Sequence, residues 1–202
     1  MSVLFEKITL DAVAYASFLT RLKEIFSTMD KRYKETSVHY GFACTGCEDN
    51  CCLTRFHHHT LLEYFYLLEG FQAIDPFRQV EIAQRAAMVC EEADKADHNG
   101  EIFRLMCPLN VGGLCLLYEH RPMICRLHGL PHELRCPGRM PDYGPGCEAF
   151  TSQCGELPYY PFDRTPFYLE MARLEKELKE ATGFDGKLKL TVAEMIGSIN
   201  NK

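Results

Sequence analysis

The sequence has no tryptophan, no excess of basic residues and no long hydrophobic run. Its 22 lysine and arginine residues face 28 aspartate and glutamate residues, which gives a formal net charge of −6. A general nucleic-acid or anionic-membrane binder carries the opposite sign of charge. No apolar stretch approaches the roughly 18 residues that a membrane span requires. We therefore expect neither a nucleic-acid partner nor a membrane.

Signals for export and for familiar catalysis are also missing. The first residues lack the basic region, apolar stretch and cleavage site of a secretory signal. We therefore expect a cytoplasmic protein, in which thiols stay reduced. The chain contains no H-E-x-x-H, Walker, G-x-G-x-x-G or G-x-S-x-G motif, so motifs of known chemistry do not decide whether it is an enzyme.

Apolar periodicity and capping signals predict helices in the first half of the chain. Apolar residues three or four apart predict a long amphipathic helix over roughly residues 11–33. Thr60 and Glu63 have the spacing of a capping box, and we expect Gly70 to close the helix that follows. Asp75-Pro76 begins a third helix, which Asn99-Gly100 should end.

The last part of the chain carries similar signals. Thr165-Pro166 begins a helix that Gly183 ends, and Thr191 and Glu194 form a capping box for a short final helix. We predict a mainly α protein whose helices pack around an irregular, cysteine-rich, metal-stapled loop lobe. The whole chain, residues 1–202, is expected to form a single domain. Within it, residues 1–40 form an N-terminal helix, 42–154 a metal-binding core and 155–202 a helical tail.

Cysteine is the residue in excess, at 11 in 202. Cys44 and Cys47 are separated by two residues that include a glycine, a spacing that directs two thiolates at one metal. Adjacent Cys51 and Cys52 point to opposite sides of an extended chain, which favours two metal positions or a polynuclear cluster. The alternative for this adjacent pair is a vicinal disulfide, which a reducing cytosol disfavours.

A second group of cysteines lies in a stretch that is rich in proline and glycine and has no helical period. Because such a stretch is a poor candidate for ordering by apolar burial alone, we expect a bound metal to hold it. Four arginines nearby are expected to offset the charge of the thiolates. The six cysteines of this group are Cys107, Cys115, Cys125, Cys136, Cys147 and Cys154, and the arginines are Arg121, Arg126, Arg135 and Arg139.

These cysteines sit in a recognisable pattern. The segment Cys115-x2-Tyr118-x2-Arg121-Pro122-x2-Cys125-Arg126 matches C-x-x-Y-x-x-R-P-x-x-C-R at every fixed position. With the first cluster and Cys107-Pro108, it resembles the zinc- or iron-chelating cysteine-cluster family, also called YkgJ-like, over roughly residues 42–147. The chain departs from the family in having three residues between Cys47 and Cys51 instead of two, and Asn110 where leucine is usual.

The resemblance implies metal chelation by eight thiolates, and Cys136 is a rival for the last position. Thiolates suit zinc and iron–sulfur clusters and disfavour magnesium, calcium and manganese. The adjacent cysteines, the arginines and the family's distant relatives among flagellin lysine methylases favour iron–sulfur slightly over zinc. The predicted ligands are Cys44, Cys47, Cys51, Cys52, Cys107, Cys115, Cys125 and Cys147.

Three functions fit such a centre. The first is a metal-binding protein that acts in metal handling or electron transfer. The second is an iron–sulfur-dependent modifying enzyme, and the third is a zinc-stapled module that binds another protein. The other candidate ligands are expected to have structural roles. Cys90 is interpreted as a buried thiol on the helix face that carries Val80, Ala83 and Ala87. The run His57 to His59 is interpreted as the solvated entry to a helix, and His120 as an exposed spacer.

Overall fold

The computed structural model describes residues 12–44 and 51–199. Cys47, one of the predicted ligands, lies outside these residues. The described chain is mainly helical, as predicted, and no helix in it combines the length and apolar character needed to cross a bilayer. Its α-helices are α1 (Ala12–Tyr40), α2 (Leu61–Gln72), α3 (Pro76–Asn99), α4 (Met123–Leu127), α5 (Glu148–Cys154), α6 (Thr165–Thr182) and α7 (Val192–Ile199).

Short elements fill the cysteine-rich region between α3 and α6. Strands β1 (Asn110–Val111) and β2 (Leu114–Cys115) form one antiparallel pair, and β3 (His132–Leu134) and β4 (Asp142–Gly144) form another. A 3-10 turn over Tyr118–His120 precedes α4. This region has no sustained helix, which agrees with the lack of helical period in its sequence.

The capping signals at Thr60, Asp75, Gly100 and Thr191 mark helix ends correctly. The Thr60 hydroxyl accepts the Glu63 backbone N–H at 3.1 Å, and the Asp75 carboxylate accepts the N–H of Phe77 at 3.0 Å. The reciprocal contacts of the last capping box are present at α7. Helix α3 ends at Gly100, whose φ of 68° lies in the left-handed region that glycine adopts without strain.

Two helices differ from their prediction. Helix α1 continues to Tyr40 because its buried face extends beyond Tyr33 through Thr36 to Tyr40 itself. Helix α2 runs through Gly70 to Gln72. A Cβ atom at Gly70 would lie 2.4 Å from Cγ of His120, so this glycine makes room for the 3-10 turn and does not end the helix.

Helix α2 lies at the centre of the packing. It contacts α1, α6, α7 and the 3-10 turn, while α3 packs on α7 and α1 packs on α4 and α6. One buried apolar core includes side chains from the N-terminal helix, from the cysteine-rich region and from the C-terminal helices. The helices therefore form a continuous frame against which the short elements of residues 107–154 are placed.

Candidate functional site

Five of the predicted ligands line one cavity of about 270 Å³. They come from three separate segments: the loop before α2, the β1–β2 hairpin with its approach, and α4. We call this space the cysteine cavity. Helix α3 and the start of α7 close its other sides. The five cysteines are Cys51, Cys52, Cys107, Cys115 and Cys125.

Backbone hydrogen bonds bring these segments together. The Cys107 N–H donates to the carbonyl of Cys52 at 2.7 Å, which joins the loop before α2 to the approach to β1. Gly112 and Gly113 connect β1 to β2 with φ angles of 59° and 87°, the positive values that a tight two-residue hairpin turn requires. The hairpin returns the chain so that Cys115 and Cys107 line the same cavity.

Two cysteine sulfurs also receive backbone donors. The N–H of Leu109 points to the sulfur of Cys107, and the N–H of Leu117 points to that of Cys115. Each donor lies two residues after its cysteine. Such N–H···S contacts favour the thiolate form, and they are among the interactions by which proteins tune sulfur-bound metals.

Burial opposes ionisation of most of these thiols. Desolvation raises the pKa of Cys107 to about 12, and it also raises the pKa values of Cys115 and, by more, Cys125. Neighbouring cysteines raise all three pKa values further, because several negative charges in one cavity repel each other. A bound cation is the partner that would stabilise all of these thiolates together.

The adjacent cysteines behave differently from each other. The Cys51 thiol donates a hydrogen bond to the sulfur of Cys52, which lowers the pKa of Cys52 to about 6, and nearby Arg121 also lowers it. The same hydrogen bond and burial raise the pKa of Cys51. Cys51 and Cys52 are both free thiols, so the structure does not contain the vicinal disulfide that was the alternative for this pair.

The remaining predicted ligands lie apart from the cysteine cavity. Cys44 is exposed. The pKa of the Tyr33 hydroxyl is raised mainly by burial, and the nearby Cys44 and Cys147 raise it further. The Cys147 N–H donates to the Gly129 carbonyl at 2.9 Å. Cys44 also raises the pKa of Cys51 through its charge, so it lies close enough to this cavity cysteine to act on it electrostatically.

Of the two rivals for the last ligand, neither lines the cavity. Cys136 is exposed, in a turn closed by the N–H of Arg139. Cys147 is half-buried at the start of α5, beside Tyr33. Cys154 is buried and its thiol donates to the Tyr40 carbonyl at 3.4 Å, a packing role.

The five cavity cysteines do not form a ready ligand shell. Within residues 12–44 and 51–199, no group of three or more histidine, cysteine, aspartate or glutamate side chains is arranged to hold a metal ion. Binding at the cavity would therefore require the sulfurs to draw closer together. Metal sites commonly complete their geometry only as the ion binds.

Cys90 and His58 also line the cavity, although neither is among the predicted ligands. Cys90 does not share a buried face of α3 with Val80 and Ala87, because both of these are exposed, and it lines the cavity beside Val89. His58 is 2% exposed and also lines the cavity. Its backbone pairs with Leu190 in an antiparallel bridge, so the chain is extended there and successive side chains alternate.

His120 and the arginines also differ from expectation. His120 is not an exposed spacer: its ring packs on Tyr66, with centroids 4.7 Å apart, and lines the cavity. Of the four arginines expected around the thiolates, Arg121 alone lines the cavity. Arg126 pairs with Asp30, Arg135 pairs with Glu133 and Asp163, and Arg139 is exposed.

Comparison of the chain with protein-family models, with curated proteins and with solved structures finds no match. The interpretation of the site therefore depends on its own residues and geometry.

Proposed function

We propose that this chain is a cytosolic metal-binding protein that holds an iron–sulfur cluster or zinc through cysteine thiolates. The observation that carries the proposal is the meeting of Cys51, Cys52, Cys107, Cys115 and Cys125 in one cavity. These residues are far apart in sequence, and apolar packing alone does not require five thiols to share one space.

The donor set fits a thiolate-bound centre. Sulfur ligands select zinc and iron–sulfur clusters among the common metals, and backbone N–H groups already point to two of the sulfurs. A resident centre would link the hairpin, α4 and the loop before α2. It would thereby hold the lobe whose strands are only two or three residues long.

The size of the cavity favours a polynuclear centre or an ion with a further ligand. About 10–15 Å³ of such volume holds one water molecule, and the cavity measures about 270 Å³. A single zinc ion would leave most of this space to other groups. The cavity thus has room for an iron–sulfur cluster as well as for zinc with a further ligand.

The proposal is tested by metal analysis and optical spectroscopy of protein purified without oxygen. We expect stoichiometric iron and sulfide with a brown colour, or colourless protein with stoichiometric zinc. The Cys125→Ser variant should lose most of its metal. Cys136→Ser is the matched control, because this cysteine lies in the same segment but is exposed and outside the cavity. Folded, metal-free wild-type protein, or full metal content in Cys125→Ser, would contradict the proposal.

A second function, an iron–sulfur-dependent modifying enzyme, is favoured by the apolar part of the cavity lining. Val89, Phe103 and Leu105 contribute apolar surface to the same cavity as the cysteines. Arg55 also lines the cavity, but it pairs with Asp97 at 2.6 Å, so a small, largely apolar substrate would fit this lining better than an anion. Its binding should shift the visible spectrum of the loaded protein, whereas an unchanged spectrum with such candidates would favour electron transfer or metal handling.

A further inference from the structure

The imidazole of His58 is buried without a hydrogen-bond partner. Its side chain is 1% exposed, and neither ring nitrogen makes a hydrogen bond to any described residue. Buried polar groups in folded proteins almost always have a partner. His58 also lines the same cavity as the five cysteines, so a group bound in that cavity could supply the missing partner.

The backbone fixes His58 in this position. Its N–H donates to the Leu190 carbonyl at 2.7 Å, and its own carbonyl accepts the Leu190 N–H at 3.0 Å. The neighbouring histidine, His59, is exposed, and its Nδ1 contacts the carbonyl of Leu188 at 3.0 Å. Because side chains alternate along an extended chain, His58, the middle residue of the run from His57 to His59, is buried, whereas the side chain of His59 faces solvent.

A buried carboxylate faces one nitrogen of this ring. Oε1 of Glu63 lies 3.7 Å from Nδ1 of His58, just beyond hydrogen-bond distance. Glu63 is itself held by the Thr60 hydroxyl at 2.7 Å and by the Met123 N–H at 3.0 Å. Met123 begins α4, the helix that carries Cys125. The Glu63 carboxylate therefore connects His58 to α4, the helix that carries the predicted ligand Cys125.

This arrangement favours one tautomer of His58. A carboxylate facing Nδ1 favours a proton on that nitrogen and leaves the lone pair on Nε2. Metal-bound histidines almost always donate their second ring N–H to a carboxylate, a carbonyl or a water molecule, which orients the ring. The pair formed by His58 and Glu63 has this composition and lies beside five thiols.

We propose that Nε2 of His58 is a nitrogen ligand of the metal centre in the cysteine cavity, with Glu63 as its positioning residue. This inference rests on the proposed function and extends it: the centre has mixed sulfur and nitrogen ligation. Zinc and iron–sulfur centres both accept an imidazole in place of a thiolate.

The test uses cadmium as the probe, because ¹¹³Cd resonances report the number of sulfur and nitrogen ligands. The full chain, stripped of metal and kept reduced, is labelled with ¹⁵N-histidine and titrated with ¹¹³Cd²⁺. We expect one bound ¹¹³Cd signal that couples to a single histidine nitrogen. This measurement on the wild-type protein does not depend on whether any variant folds.

The variant His58→Gln assigns the coupled nitrogen, and His59→Gln is the matched control. We expect the coupling to disappear and the ¹¹³Cd resonance to move in His58→Gln, with cadmium bound at least about 10-fold more weakly, since removing even an outer-shell partner of a ligand causes a loss of that order. His59→Gln should leave the coupling, the resonance and the affinity unchanged. Circular dichroism of both metal-free variants confirms that they are folded.

The outcomes separate this inference from the proposed function. Cadmium bound with sulfur-only ligation, without coupling to nitrogen, would overturn the role of His58 and leave thiolate binding intact. Coupling that survives in His58→Gln would also overturn it. Failure of the wild-type chain to bind cadmium at all would overturn both.

Discussion

The helical frame, made of α1, α2, α3, α6 and α7, differs from the cysteine-rich segment of residues 107–154 in what orders its backbone. Among the described residues, nine of the twelve largest fully buried side chains belong to the frame, and only two, Leu127 and Leu130, belong to the segment. The frame is thus stabilised by apolar burial at helical spacing. The segment needs other interactions to define its shape.

Buried arginines provide those interactions. Arg126 donates to the carbonyls of Arg121 and Glu119 and pairs with Asp30 of α1 at 2.5 Å. Arg164, at the start of α6, donates to carbonyls in the segment, those of Leu127 and Leu130. In an irregular backbone many carbonyls have no partner within a helix or sheet, and a guanidinium group can satisfy several at once.

The largest effect is expected where this arginine network is broken. In Arg126→Met, two carbonyls and the Asp30 carboxylate lose their donor, and we expect the free energy of unfolding to fall by about 3 kcal/mol. The segment should loosen around Cys125, so that its thiol reacts faster with an aromatic disulfide reagent. Urea denaturation and the rate of thiol labelling measure the two effects.

Arg139→Met is the control for this change. Arg139 lies in the same segment but is exposed, so its replacement should alter stability by less than about 0.5 kcal/mol. Equal stability of the two variants would show that apolar contacts hold the segment as they hold the frame, and the contrast between the two regions would disappear.

A smaller effect is expected at a buried carboxylate within the frame. Glu175 of α6 accepts the N–H groups of Leu61 and Leu62, at 2.9 and 3.2 Å, at the start of α2. Glu175→Met removes both acceptors, and we expect a loss of about 1–2 kcal/mol at neutral pH, measured by urea denaturation.

The pH dependence of this effect has a defined sign. Burial raises the pKa of Glu175 above its ordinary value of 4.5, so the folded state binds this proton more tightly than the unfolded state. That contribution to stability is complete below pH 4.5 and is lost as the pH rises through the folded-state pKa. Wild type should therefore exceed Glu175→Met by more at about pH 4 than at neutral pH. Glu170→Met, at an exposed position of the same helix, should show no such change.

The smallest effects concern two glycines of the frame, with opposite signs. Gly100 has a φ of 68°, so Gly100→Ala places a side chain in the left-handed region and should cost about 1 kcal/mol. Gly197 lies within α7, where an added Cβ atom would meet no atom of the described residues within 4 Å. Gly197→Ala should therefore stabilise the fold by about 0.5–1 kcal/mol. Thermal unfolding measures both, and a shared sign would contradict this account.

The frame could be predicted from sequence because its signals are local. The capping residues Thr60 and Asp75 and the terminating Gly100 each act within one helical turn, and the structure confirms them. The cysteine spacing likewise directed attention to the residues that line the cavity. Whether they bind metal stays a prediction.

The rest depended on contacts between distant parts of the chain. His58 is buried because its segment pairs with Leu190, and Cys90 lines the cavity because α3 packs on α7. Asp30, the partner of Arg126, lies on α1. No periodicity or motif encodes such pairings, so the prediction that four arginines lie near the thiolates is wrong for three of them, which lie outside the cavity.

Gly70 shows how a residue that does not line the cavity can still set its shape. The ring of His120 occupies the space where a side chain at Gly70 would lie, and the same residue lines the cysteine cavity. A methyl group added at Gly70 would displace this ring and so alter the wall of the cysteine cavity. The shape of the cysteine cavity therefore depends partly on a residue of a neighbouring helix that is not among its lining residues.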